Sequence, residues 1–139
     1  MVAPLLAVNG LDVSIATRRG RLHAVRGVSF SIAAGETLCL VGESGCGKSM
    51  TALALMDLLP KEAERRIDRF TLDGEDLKAA SYQQMNALRG TRMAMIFQEP
   101  MSALNPVYTI GEQMIEGYRF HRRADAQTEI GRASCRERV

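Results

Sequence analysis

Neither sign of charge dominates this chain, whose 139 residues carry a formal net charge of +2. So small a balance gives no electrostatic footprint for nucleic acid or for an anionic membrane surface. Long apolar runs are missing as well, and none approaches the roughly 18 residues that cross a bilayer. The opening Met1-Val-Ala-Pro-Leu-Leu-Ala-Val-Asn-Gly10 lacks the charged start of a secretory leader, and its apolar stretch is too short for one. Any membrane association would therefore come through a partner. Cysteine is scarce: Cys39, Cys46 and Cys135 form no CxxC pair and no cysteine–histidine cluster at zinc-ligand spacing. They read as reduced thiols of a cytoplasmic protein, with Cys39 a small core residue. No internal repeat or low-complexity stretch is present. What remains is an ordinary globular balance, 46% hydrophobic and 24% charged, in a length suited to one small domain.

The pattern along the chain mixes strands and helices. Leu6 to Ile15 alternates, with Leu11, Val13 and Ile15 on one face, and Val28, Phe30 and Ile32 repeat the pattern. Between them, Thr17 to Arg21 reads as a polar turn with a glycine hinge, and Ala34-Gly35-Glu36 as a second turn. Thr37 to Val41 is a short continuous apolar run, the mark of a strand buried on both faces. Met50 to Leu59 is rich in helix formers and apolar on nearly all sides, which predicts a buried helix ended by Pro60. Arg69 to Leu72, followed by Asp73-Gly74, predicts a strand and a turn. Ser81 and Gln84 have capping-box spacing for a helix to Leu88, closed by Gly90. Met93 to Phe97 predicts another buried strand, and Gln98 to Val107 a proline-punctuated loop. Thr109 and Glu112 form a second capping box, opening a helix with Met114, Ile115 and Tyr118 facing inward.

The octet Gly42-Glu43-Ser44-Gly45-Cys46-Gly47-Lys48-Ser49 fits the pattern G-x-x-x-x-G-K-[ST]. Gly45 and Gly47 permit backbone angles and close approach that a side chain would block. Successive N–H groups of Ser44 to Lys48 can then converge on phosphate oxygens as an anion-binding nest. The helix that starts here adds its dipole. Lys48 supplies a full positive charge to the β- and γ-phosphates, and the Ser49 hydroxyl can ligate Mg²⁺. An apolar run precedes the octet and an apolar helix follows it, as this mechanism requires. The motif alone specifies only the large P-loop NTPase class. About fifty residues later, Gln98 follows a predicted buried strand, where its amide can lie near Mg²⁺ and an attacking water.

Gly42 to Ser49, together with Phe97-Gln-Glu-Pro-Met-Ser-Ala-Leu-Asn-Pro106, resembles the ATP-binding subunit of ABC transporters, in the dipeptide/oligopeptide/nickel importer branch. Ala24-Val25, Gly27-Val-Ser-Phe30 and Ala34-Gly-Glu-Thr37 fit that branch too, so the likeness covers Leu5 to Glu129. It implies an α/β fold: a P-loop NTPase core with an N-terminal antiparallel β-subdomain, truncated before the signature and Walker B elements. It implies ATP and Mg²⁺ as ligands, with Gly42 to Ser49 as the Walker A site and Ser49 and Gln98 at the metal. It further implies transmembrane permease subunits and a second ATP-binding subunit as partners, at the cytoplasmic face of the bacterial inner membrane. The surface from Pro100 to Tyr108 and the following helix would receive a cytoplasmic segment of the permease, while Met114 packs internally. Nucleic acid is not an expected partner.

The chain departs from the family in two ways. No aromatic residue stands between Leu11 and Ala24 to stack on adenine, leaving Arg19 or His23 as substitutes. The signature motif and the general base are absent, so the fragment alone is expected to bind nucleotide rather than hydrolyse it. Ile130 to Val139 lacks periodicity and resembles the codon-by-codon translation of a common sequencing adapter. The expected organisation is therefore residues 1–129, the front of an ABC nucleotide-binding domain, followed by residues 130–139 of artificial origin. Two other classes stay open: a soluble ABC ATPase acting on DNA or ribosomes, and a non-catalytic nucleotide-binding module. The wording after Gln98 and the lack of a basic patch speak against the first. A downstream Leu-Ser-Gly-Gly-Gln-like segment would eliminate the second.

Overall fold

A computed structural model describes residues 3–98 and 104–122. The chain divides into two units, Met1–Asn86 and Ala87–Val139.

The first unit is built on a hairpin of two long strands, β1 (Leu6–Thr17) and β2 (Gly20–Ile32), paired antiparallel from Leu6↔Ile32 to Thr17↔Gly20. The Thr17 hydroxyl closes the turn by donating to the Gly20 carbonyl at 2.6 Å. β3 (Ala63–Arg66) and β4 (Arg69–Leu72) pair antiparallel with different stretches of β1, and β5 (Glu75–Asp76) pairs with β4. Asp73 and Gly74, at φ 52° and 79°, form the β4–β5 turn. Two successive positive φ values match the right-handed twist of a hairpin, which explains the Asp-Gly pair read from the sequence.

Alternation alone understated β2. Between Val13↔Val25 and Leu11↔Val28 the strand carries an extra residue, so the buried set changes phase from Val25 to Val28. Gly27 supplies φ 56° there, and its amide donates to the Asp12 carboxylate at 3.1 Å. Strand geometry therefore runs back to Gly20, through a stretch whose Arg21, His23 and Arg26 hid it. Across the sheet, Arg21 meets Glu64 of β3 at 2.6 Å, reaching over Ser14 of β1. Both side chains are more than half exposed, so this pair contributes at most about 1 kcal/mol.

Val8, Leu11 and Val13 of β1 and Phe70 of β4 are fully buried, and Val8 sits in register between Phe30 and Phe70. Helix α1 (Lys48–Leu55) packs on β1 and β2 and buries Thr51, Ala54 and Leu55. It ends before Pro60 is reached, because Asp57 turns left-handed at φ 54°. The Leu58 amide then donates to the Leu53 carbonyl at 2.9 Å, and the Asp57 amide to Ala54 at 3.3 Å. That pair of bonds is the Schellman ending. Arg65 also donates to the Ala54 carbonyl at 2.9 Å, a second donor on that same helix-end acceptor.

Helix α2 (Tyr82–Leu88) opens on the expected capping box. The Ser81 amide donates to the Gln84 side chain at 2.7 Å, and the Gln84 amide donates to the Ser81 hydroxyl at 3.3 Å. In the second unit, helix α3 (Ile110–Arg122) opens the same way, with the Thr109 amide donating to Glu112 at 2.9 Å. Ile115 is half-buried there, but Met114 is 40% exposed rather than packed inside.

Two predicted buried strands do not form. Thr37 to Val41 joins no sheet among the described residues, and Leu38, Leu40 and Val41 are 39%, 46% and 93% exposed. Met93 to Phe97 makes only a single bridge, Arg89↔Met93, with Ile96 at 92% exposed. A doubly buried strand needs a ladder on each edge and cover on each face. Among the described residues nothing supplies these to either run.

Candidate functional site

The glycine loop is set between a missing strand and a well-formed helix. Its anchor is Gly47, which caps α1 in the left-handed conformation at φ 94° and ψ 5°. A side chain there would collide with the Ala24 carbonyl of β2, so glycine is required twice over, by conformation and by space. Gly45 is also left-handed, at φ 83°, but faces open space. At Gly42 a Cβ would meet the Cys46 sulfur at 2.6 Å.

The start of α1 is left open for an anion. Gly47 offers no capping side chain, and no acidic residue occupies the first turn. The helix-end amides therefore keep their partial positive charge unneutralised by the protein itself. The first helical bonds are in place: the Thr51 amide donates to the Gly47 carbonyl at 2.9 Å, and its hydroxyl does so at 3.0 Å. Thr51, buried and absent from the predicted octet, thus fixes the loop-to-helix junction.

Lys48 is folded over this loop. Its ammonium donates to the carbonyls of Gly42 at 2.7 Å and Glu43 at 2.8 Å, and lies 3.4 Å from the Cys46 sulfur. A full charge is thus held at the mouth of a ring of backbone dipoles, on exposed contacts that water or a phosphate can replace. Ser49 is exposed in the first turn of the helix. The eight residues Gly42, Glu43, Ser44, Gly45, Cys46, Gly47, Lys48 and Ser49 are therefore brought together in the first unit. Gln98 belongs to the second unit, where it is exposed. Pro100 to Ala103 fall outside the described residues, whereas Leu104, Val107 and Tyr108 are exposed at 42%, 83% and 58%.

A cavity of about 550 Å³ opens between β2 and the loop, reaching from Leu22 and His23 to Gly45 and Lys48. Of the two residues expected to replace an adenine-stacking aromatic, His23 lines it; Arg19 sits in the hairpin turn and does not. Leu22, Val25 and Arg26 also line it, and sequence reasoning missed them because β2 was begun too late. The signal that could have found them is the apolar, polar, small, apolar run Leu22 to Val25.

The loop, the uncapped helix start and the adjoining cavity thus lie side by side in the first unit. The profile of the ABC transporter family matches residues 25–139. The chain belongs to this family. Among its relatives, the glutathione import ATP-binding protein GsiA of Escherichia coli O1:K1 is 45% identical over 129 residues, covering 88% of this chain. The dipeptide transport ATP-binding protein DppD of Bacillus subtilis is 45% identical over 120 residues, covering 86%. The chain spans 21% of the first relative and 36% of the second. Membership agrees with an α/β P-loop ATPase whose front is the antiparallel sheet described above.

Proposed function

We propose that this chain is the nucleotide-binding front of an ABC transporter ATPase subunit whose parent couples MgATP hydrolysis to the import of peptides or nickel. The observation that carries this reading is the Lys48 ammonium, seated beside an uncapped helix start on a loop that only glycine can form at Gly47. A triphosphate fits these residues: donors and one full charge converge, and no acidic side chain in the first turn opposes it. Among the described residues no group of three or more acidic, histidine or cysteine side chains could hold a metal ion alone. Mg²⁺ would enter with the nucleotide, held by Ser49 together with phosphate oxygens, and would neutralise charge on the phosphates.

Hydrolysis belongs to the parent, with its general base and signature motif expected beyond residue 129; the chain alone binds nucleotide. Residues 130–139 are assigned to adapter-derived sequence, and resequencing the gene checks this: native codons there would refute it. The names of the glutathione and dipeptide relatives favour peptide over nickel as the parent's cargo. Permease subunits and a second ATP-binding subunit complete the assembly. No described helix is long and apolar enough to cross a membrane. Attachment at the cytoplasmic face would come through those subunits.

The test is isothermal titration of MgATP into the chain and into its Lys48→Ala variant. Loss of one charge-assisted contact predicts affinity weaker by about 10- to 100-fold. Equal affinity of the two proteins would sink the reading.

A further inference from the structure

Resting on the nucleotide reading above, we propose that Arg65 is a positioning residue for the phosphate loop, acting through α1 from the far end of that helix. The sheet register sets this up. Val13 of β1 pairs with Arg65 of β3 on one edge and with Val25 of β2 on the other. Arg65, Val13 and Val25 thus form one row across three strands, its ends roughly 10 Å apart at ordinary strand spacing. Helix α1 bridges the same span. A Cβ at Gly47 would meet the Ala24 carbonyl and the Val25 side chain, so the helix start rests at the β2 end of the row. Ala54 stands two turns on, about 10 Å along the axis, and its carbonyl accepts from Arg65 at 2.9 Å.

As a cap, this bond is surplus. The Asp57 amide already donates to the Ala54 carbonyl at 3.3 Å, so the Schellman turn closes the helix without Arg65. What Arg65 adds is a tie to a separate strand. Its side chain is only 16% exposed, and its guanidinium lies 6.0 Å from the centre of the buried Phe70 ring, which limits its swing. Asp57, 3.9 Å away and 40% exposed, contributes little beside the carbonyl bond. The cation also meets the negative end of the helix whose positive end adjoins the loop. Without the tie, α1 can pivot about its Gly47 contact, and the loop that leads into it loses its fixed placement. Only the molecules with the loop in place then bind well, and apparent affinity falls with their fraction.

The experiment measures binding of magnesium tripolyphosphate to the full chain and to its Arg65→Met, Arg65→Lys, Arg66→Met and Lys48→Ala variants, with the urea midpoint of each. Arg65→Met should weaken binding about three- to tenfold, the net worth of one hydrogen bond. Before ligand is added, its Gly45 to Ser49 amide resonances should already differ from those of the unmodified chain, two helical turns from the tie. Arg65→Lys keeps a charged donor and should recover most of the affinity. Arg66 stands next on β3 and is exposed, so Arg66→Met should bind as the unmodified chain does. A lower urea midpoint for Arg65→Met, with affinity and loop resonances unchanged, would make Arg65 a brace of the fold alone and overturns the inference. So does an equal loss of affinity in Arg66→Met. Should Arg65→Met fail to fold, Arg65→Gln, uncharged but polar, is read against the same outcomes. If Lys48→Ala loses affinity while Arg65→Met does not, only the positioning role falls. If the unmodified chain does not bind tripolyphosphate, the phosphate-loop reading falls with it.

Discussion

Gly47 and Gly45 share a left-handed backbone but not a neighbourhood, and the difference can be measured. Substituting Gly45→Ala adds conformational strain alone, about 1–2 kcal/mol, since its Cβ would point into open space. Gly47→Ala adds the same strain and also drives a methyl into the Ala24 carbonyl of β2. Urea unfolding should therefore show Gly47→Ala as clearly the more destabilising, by upwards of about 1–3 kcal/mol. Equal losses would mean that the loop is not docked on β2. Residue-level chemistry of this kind was largely legible in the sequence, because the octet spells out local geometry: glycines where φ must be positive, a lysine at the helix start. Thr51 was not legible, since a threonine four residues into a helix looks like any other until the Gly47 carbonyl is seen to accept its hydroxyl.

Elements whose ends are fixed by local bonds were also readable. Both capping boxes form as spaced, and Glu112 shows the electrostatic consequence: hydrogen bonds from the Thr109 hydroxyl and then its amide hold its carboxyl below the ordinary glutamate value. A carboxyl lowered on folding lends stability that is fully present above its unfolded value and is lost as pH falls through the folded one. Helicity of α3, followed by circular dichroism, should thus decline on acidification below the usual glutamate range, and Glu112→Gln should flatten that decline. An unchanged acid limb in the variant would contradict the capping role. The end of α1 was misplaced because a left-handed aspartate is an uncommon stop. Replacing it, Asp57→Gly, should stabilise the chain by about 1 kcal/mol, read as a higher urea midpoint. The two runs expected as buried strands failed for a different reason. Thr37 to Val41 and Met93 to Phe97 have the composition of central strands, but composition cannot supply a neighbour, and ladders are made with distant residues.

At the scale of the whole molecule, that unmet pairing governs behaviour. Leu40, Val41, Ile96 and Phe97 present apolar surface that strand partners would ordinarily cover. The chain should self-associate in a concentration-dependent way, visible by sedimentation. Ile96→Thr combined with Phe97→Thr should reduce this without loss of nucleotide binding. Monomeric behaviour at high concentration would show that these runs are covered after all. The proposed nucleotide site, by contrast, draws on the hairpin, the loop and α1, all of which lie within the first unit. The most direct measurement follows backbone amide resonances while magnesium tripolyphosphate is added. The largest shifts should fall on Gly45 to Ser49, the residues that lead into the uncapped start of α1. Shifts centred elsewhere, or none at saturating ligand, would contradict a phosphate-binding role for this loop.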